Sequence, residues 1–259
     1  VINPAAVKKM FEADFSEQKT EARGFWQEDR KFMKIVEEGI SLCHDGHYEM
    51  PLPLKEQNLE LPNIYELALR RLMQLKKRFL KDEHYQEDYI KFMNDVIAKG
   101  YHAERVTPVE AKSGKKVWFI PHHGVYHPKK PQKIRVVFDC SAKFEGQSLN
   151  QNLLQGPDLT NNLVGVLGRF RKEPVAFMCD IESMFCQVKV SEQQRDLLRF
   201  LWWKDGDVSQ EPEEHRMTVH LFGAVSSPAC ANFALKRTAH DNENDLGAEP
   251  ANFLCKDFY

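Results

Sequence analysis

The amino-acid sequence reads as an α+β fold, and three observations predict it. A helical apolar period runs through residues 63–99. Short strand-like runs take over from Lys115, and helical segments then return among them. Helices followed by antiparallel-style strands in that order argue α+β. The 259 residues suffice for one large domain or two small ones. Hydrophobic content of 42% and charged content of 29% fit a globular chain rather than a disordered one. No apolar run approaches the ~20 residues needed to span a bilayer.

Residues 1–60 read as irregular, with one helix near Gln27 to Glu38. Tyr48 to Leu54 reads as extended because of Pro51 and Pro53. Pro62-Asn63 opens the next helix, with Asn63 as N-cap and Glu66 three residues on. Ile64, Leu67, Ala68, Leu72, Leu75 and Phe79 mark its apolar face. A second helix is expected from Tyr85 to Lys99, with Phe92, Met93, Val96 and Ile97 inward and Gly100 as C-cap. Strands are expected at Lys116 to Pro121 and at Ile134 to Asp139, then a helix at Leu159 to Phe170. Val175 to Asp180 reads as a nearly all-apolar strand that ends in a carboxylate. The pattern of Phe185 to Val190 suits a helix or a strand. Leu197 to Trp203 and Arg216 to Leu221 read as strands joined by an acidic turn segment. Ser227 to His240 reads as a helix, and Ala251 to Tyr259 as the start of another strand.

The net charge of −2 selects no partner, but its distribution is uneven. Lys112, Lys115, Lys116, Lys129, Lys130, Lys133 and Arg135 cluster around one strand-like segment. Such a cluster is either a solvated face or an electrostatic footprint for nucleic acid. The six cysteines form no CxxC pair and sit mostly in apolar runs, which predicts buried free thiols and a reducing, intracellular setting. The first residues carry no signal-peptide pattern, and both ends read as cut from a longer polyprotein.

Three segments carry candidate chemistry. In Ala176 to Phe185 a buried strand would deliver Asp180 at its end. A desolvated carboxylate needs a cation or donors, so Asp180 suits a hard cation such as Mg²⁺; the plainer reading is an Asp that caps the following turn. In Leu221 to Pro228, Ser227 reads as N-cap and Pro228 as the first helical residue. Gly223 there either admits a close ligand or makes a turn. In Lys133 to Asp139, alternation puts Lys133, Arg135, Val137 and Asp139 on one strand face. Two neighbouring cations suit a triphosphate, and the plainer reading is an Arg135–Asp139 surface pair.

Taken as a set, these segments resemble a reverse transcriptase of the BEL/Pao class of long-terminal-repeat retrotransposons. The matching stretches are Asp45 to Pro53, Val117 to His123, Ile134 to Asp139, Leu149-Asn150, Leu154 to Leu159, the Asp180 segment, Leu198 to Trp202, Arg216 to Thr218 and Phe222 to Pro228. The resemblance implies a right-hand polymerase fold. Residues 1–60 would be a linker after a protease region, 61–174 the fingers, and 175–259 a palm that stops before the family's two-aspartate motif. It implies that Asp180 and the backbone carbonyl of Ile181 bind catalytic Mg²⁺ or Mn²⁺. Phe185 would be the aromatic gate beneath the sugar of an incoming deoxynucleoside triphosphate. Arg135, with Lys133, would contact the triphosphate, and Phe222 and Gly223 would pack against the nucleotide. Lys129, Lys130, Ser227, Pro228 and Tyr259 would face an RNA or DNA template with its primer. Tyr259 matches the aromatic that precedes the two aspartates, so neither aspartate falls within the 259 residues. Two-metal transfer needs carboxylates on both ions, so this chain alone would not complete that site. The family implies no membrane partner, and a setting in cytoplasmic virus-like particles and the nucleus. The rival expectations are a non-catalytic nucleic-acid-binding remnant, and an interaction protein built on the helices of 63–99.

Other constellations are weaker. His44, Asp45 and His47, like His122, His123 and His127, lack finger-like zinc spacing, so His122 and His123 read as ordering a loop beside the basic cluster. Trp202 and Trp203 read as core, and Tyr126 as a ring that could stack on template. No phosphate-cradling glycine loop or nucleophile elbow is present.

Overall fold

Helix α1 (Gln27–Gly39) forms where apolar spacing predicts one, burying Phe32 and Val36 one turn apart. The proline-bearing segment after it is extended as expected. Its strand β2 (Tyr48–Met50) pairs antiparallel with β1 (Ser41–Leu42) and in parallel with β6 (Val188–Val190). The structure is a computed structural model, and it describes residues 26–56, 59, 61–98, 102–111, 116–172 and 174–259.

Helix α2 (Tyr65–Phe79) buries Ala68, Leu72, Leu75 and Phe79. Its N-cap position is held by Ile64, one residue beyond the expected Asn63. The Asn63 side chain still accepts the Tyr65 N–H at 2.9 Å. Helix α3 (Glu83–Ala98) faces the core with Tyr85, Tyr89 and Met93, a stripe at i, i+4 and i+8. Of the expected inward set, Met93 is buried, while Phe92, Val96 and Ile97 pack at the core's edge. The expected cap Gly100 lies outside the described residues, as do Lys112 and Lys115.

A second sheet runs in the order β3 (Ala103–Arg105), β8 (Glu213–Met217), β7 (Arg199–Trp202), antiparallel throughout. Residues 116–121 form no full strand. Phe119 makes a single parallel bridge to Arg199, with Ile120 N–H donating to the Arg199 carbonyl at 2.7 Å. The next residues, read from sequence as a loop, are strand β4 (His122–His127), paired antiparallel with β5 (Lys130–Phe138) as a hairpin. In β5, Ile134, Val136 and Phe138 are buried while Lys133 and Arg135 are exposed, the period of two that the sequence predicts. Single turns α4 (Pro108–Ala111) and α5 (Leu149–Asn152) follow the chain, the latter capped by the Ser148 hydroxyl, which accepts the Gln151 N–H.

Two sequence expectations fail together. Residues 175–180 form no strand, and Val175, Phe177 and Met178 are exposed rather than buried. Residues 251–256, expected to be extended, belong to helix α9 (Ala248–Lys256). A strand persists only where a neighbour takes its N–H and C=O groups. With 251–256 coiled, no extended segment among the described strands stands beside 175–180. Helix α6 (Leu163–Phe170) starts at its Asn162 cap rather than at Leu159, and it buries none of its residues. Phe185 to Val190 resolves as a 3₁₀ turn, Met184–Gln187, and then β6. Helix α7 (Ser227–Asp241) and the short α8 (Glu243–Leu246) lead into α9.

The core is aromatic. Phe79 and Tyr89 from the two long helices meet Trp202 at the end of β7, Phe79 also meets Trp203 just beyond it, and Tyr85 packs on Phe79 and Tyr89; Tyr89 is stacked on Trp202 at 5.5 Å. Both tryptophans are fully buried, as the sequence predicts. The six cysteines are free thiols; Cys140 and Cys230 are buried, but Cys179 is exposed because its segment is. No helix among the described residues is long and apolar enough to cross a membrane.

Candidate functional site

Three segments distant in sequence meet on one face. Ser183, in the left-handed region at φ 51°, turns the chain into the 3₁₀ turn that presents Phe185. The Phe185 ring lies 5.6 Å from that of Phe222, tilted by 32°. Phe222 is itself 68% exposed, so its ring is held toward solvent. Gly223 sits at φ +125°, where a Cβ would fall 2.5 Å from the Phe138 carbonyl oxygen at the end of β5. Only glycine permits that approach of two backbones. The loop is fastened by Asn150. Its side-chain N–H donates to the Gly223 carbonyl at 2.9 Å, and its Oδ1 accepts the Val225 N–H at 3.0 Å. Sequence reading named Asn150 only within a matching stretch. An Asn in a one-turn helix gives no signal of which distant loop it holds.

The hairpin β4–β5 carries the cations. Lys129, Lys130, Lys133 and Arg135 are exposed, and none forms an ion pair among the described residues. The Arg135–Asp139 pair is not formed; Asp139 instead accepts the Ser141 N–H at 3.1 Å. Four cations without an ion pair among the described residues make this narrow two-stranded ribbon a positive stretch of surface.

Asp180 needs correction. It is exposed, outside any strand, and makes no hydrogen bond or ion pair among the described residues. The desolvation that would demand a metal is therefore absent. Ile181 beside it is half-buried. Among the described residues no three His, Cys, Asp or Glu side chains gather as a metal-binding group. One element of the expected neighbourhood is present. Phe177 packs on Phe253 at 5.3 Å, so the segment that leads into Asp180 lies against the one that leads into Tyr259. Arg169 reinforces that end through Asp257 at 2.6 Å, and Asn161 donates to the Cys255 and Phe258 carbonyls.

The remaining candidates divide by burial. Ser227 is buried and opens the helix, with Ser226 rather than Ser227 at the N-cap position; only Pro228 of the pair presents surface. The Ser227 side chain faces inward with Cys230, Ala231 and Ala234, so its hydroxyl is shut off from a template. Tyr259 is exposed. His122 does not order a loop. It is on β4, its Nδ1 2.6 Å from the Tyr89 hydroxyl and its Nε2 2.9 Å from the Leu201 carbonyl, and burial pushes its pKa down to about 4. Tyr126 is tied to Asp88 at 2.7 Å and is not a free stacking platform. Sequence reading also missed a buried charge network. Asp196 receives both Arg199 and Arg216, at 2.8 Å and 3.2 Å, while Glu214, Glu104 and Glu110 take their remaining N–H groups. The hydroxyl and N–H of Thr107, together with Arg216, hold Glu110 down to about 2. No protein-family model matches the chain, and a search of curated proteins finds no match to it.

Proposed function

We propose that the chain is the fingers and part of the palm of a retroelement reverse transcriptase, resembling the BEL/Pao class, with the α+β fold being that of a right-hand polymerase. One observation carries the reading. Phe185, the Phe222-Gly223 loop and the end of β5 gather on one face, with the Phe222 ring exposed and a glycine pressed against Phe138. The Phe222 ring packs on Phe185 and faces solvent rather than the core. A ring held outward beside a half-buried ring suits a ligand with a flat base and a sugar. The resemblance assigns all three segments to the incoming deoxynucleoside triphosphate.

In this reading Phe185 excludes a 2′-hydroxyl by bulk, and Arg135 and Lys133 meet the triphosphate. Lys129 and Lys130 attract the RNA or DNA template with its primer. Magnesium or manganese belongs to the proposal for the intact parent enzyme, with Asp180 and the Ile181 carbonyl among its ligands. The described residues of this chain do not fit a two-ion centre, because Asp180 belongs to no cluster of three His, Cys, Asp or Glu side chains, and no step here runs through one. That same isolation favours a second reading, a nucleic-acid-binding remnant without catalysis. The third expectation, an interaction protein built on α2 and α3, has less support, since both helices spend their apolar faces on the core.

Fluorescence anisotropy with a labelled primer–template duplex tests the reading. Neutralising about three phosphates predicts an affinity loss of roughly 40-fold between about 50 and 200 mM salt. Replacing Lys129, Lys130 and Lys133 together by alanine should flatten that dependence. Absence of binding at low salt would reject both nucleic-acid readings. Sugar selection is checked in the parent enzyme: Phe185→Ala should raise ribonucleotide incorporation by about tenfold or more. Unchanged selectivity would remove Phe185 from the site. The lost contact with Phe222 should lower stability by only about 1 kcal/mol.

A further inference from the structure

We propose that a second site, a pocket between α2 and the base of the β4–β5 hairpin, binds a phosphate group that is attached to a sugar. It does not rest on the polymerase reading. The pocket has a volume of about 220 Å³. Its floor is Leu75, Pro121 and His122, all buried. Its walls are Arg71, Gln74 and Arg78 on one side and His123 and Asp139 on the other.

Arg71, Gln74 and Arg78 stand at i, i+3 and i+7, so α2 aims them along one face. Arg71 makes no ion pair or hydrogen bond among the described residues. The Arg78 guanidinium carbon sits over the Tyr85 ring, 3.6 Å from its centroid. A guanidinium over a ring can still donate from its N–H groups to a ligand beside it. Tyr85 is fixed in turn, its hydroxyl donating to the Gly124 carbonyl at 3.0 Å and accepting the Gly124 N–H at 2.9 Å. One guanidinium is therefore held in place and a second stands ready beside it. Two such forks and a carboxamide match the several acceptor oxygens of a phosphate.

Asp139 decides what else the ligand carries. A carboxylate on the opposite wall repels a bare anion but accepts a hydroxyl. It already accepts the Ser141 N–H, which leaves capacity on the other oxygen. The volume is below the roughly 300–1,000 Å³ of pockets for drug-sized ligands, so the site takes a phosphate with a sugar rather than a whole nucleotide. The same chemistry is offered by a free sugar phosphate and by one unit of a nucleic-acid backbone.

The test is a titration followed by the imidazole NMR signals of His123, run with ribose 5-phosphate and with a short oligonucleotide. Saturable shifts with ribose 5-phosphate support the site and identify a small ligand. Saturable shifts with the oligonucleotide only support it and identify the polymer. In either case Arg71→Gln should weaken binding about tenfold. Arg71 is exposed, so the variant should keep the parent's thermal midpoint. Arg78→Lys, which keeps the charge but loses the fork, should also weaken binding. No saturable shift with either probe, or equal affinity in Arg71→Gln, would overturn the proposal.

Discussion

Asp196→Ala should cost about 3–5 kcal/mol. The carboxylate is 3% exposed and lies between two buried guanidiniums, those of Arg199 and Arg216. Removing it leaves an N–H group of each facing a gap that water cannot easily enter. Glu214, Glu104 and Glu110 stay attached to the other N–H groups but are more exposed, and so weaker, partners. A domain stable by 5–15 kcal/mol loses a large share of that. Urea unfolding measures it. Asp196→Asn, which keeps one acceptor, should lose less, and coupling in the Asp196→Ala/Arg199→Met cycle should be positive. An unchanged urea midpoint in Asp196→Ala would mean that solvent reaches these guanidiniums and that the network contributes little.

That network was partly written in the sequence. Arg199 interrupts the apolar run Leu197 to Trp202, and Arg216 opens another strand-like run. A cation inside a strand that must be buried requires acids nearby. What the sequence lacked was the pairing that brings Glu104 on β3 opposite Arg216 on β8. Strand β5 was legible because its alternation has a period of two and both faces differ in polarity. Helix α2 was legible because its apolar period matches 3.6 residues over four turns.

The failures share a cause. Ala251 to Tyr259 is a short run that periodicity cannot assign to strand or helix, and Val175 to Asp180 is a short apolar run whose extended pairing needs a partner strand. Their state depends on neighbours. His122 was misjudged for a related reason. Its neighbours His123 and His127 suggested polar surface, whereas alternation on β4 turns His122 alone inward to Tyr89 and Leu201. At the candidate site, Phe185 and Phe222-Gly223 were named from motif resemblance. Their meeting depends on a left-handed Ser183 and an Asn150 clamp that no local pattern announces.

Asp180→Asn in the parent enzyme should reduce primer extension to below roughly a thousandth of the unmodified rate. The same change should leave the thermal midpoint within about 2 °C. The second half follows from the geometry, since Asp180 is exposed and has no partner among the described residues, so the swap removes charge without removing a contact seen there. The first half follows from the proposed role, because an amide is a poor ligand for a hard cation. The two halves must hold together. A variant that extends primers normally would strip Asp180 of its role and leave the nucleic-acid-binding reading. A variant that fails and also melts early would mean that Asp180 makes a structural contact in the parent. Only inactivity at full stability ties an exposed, partnerless carboxylate to chemistry, because nothing else about its surroundings gives it work to do.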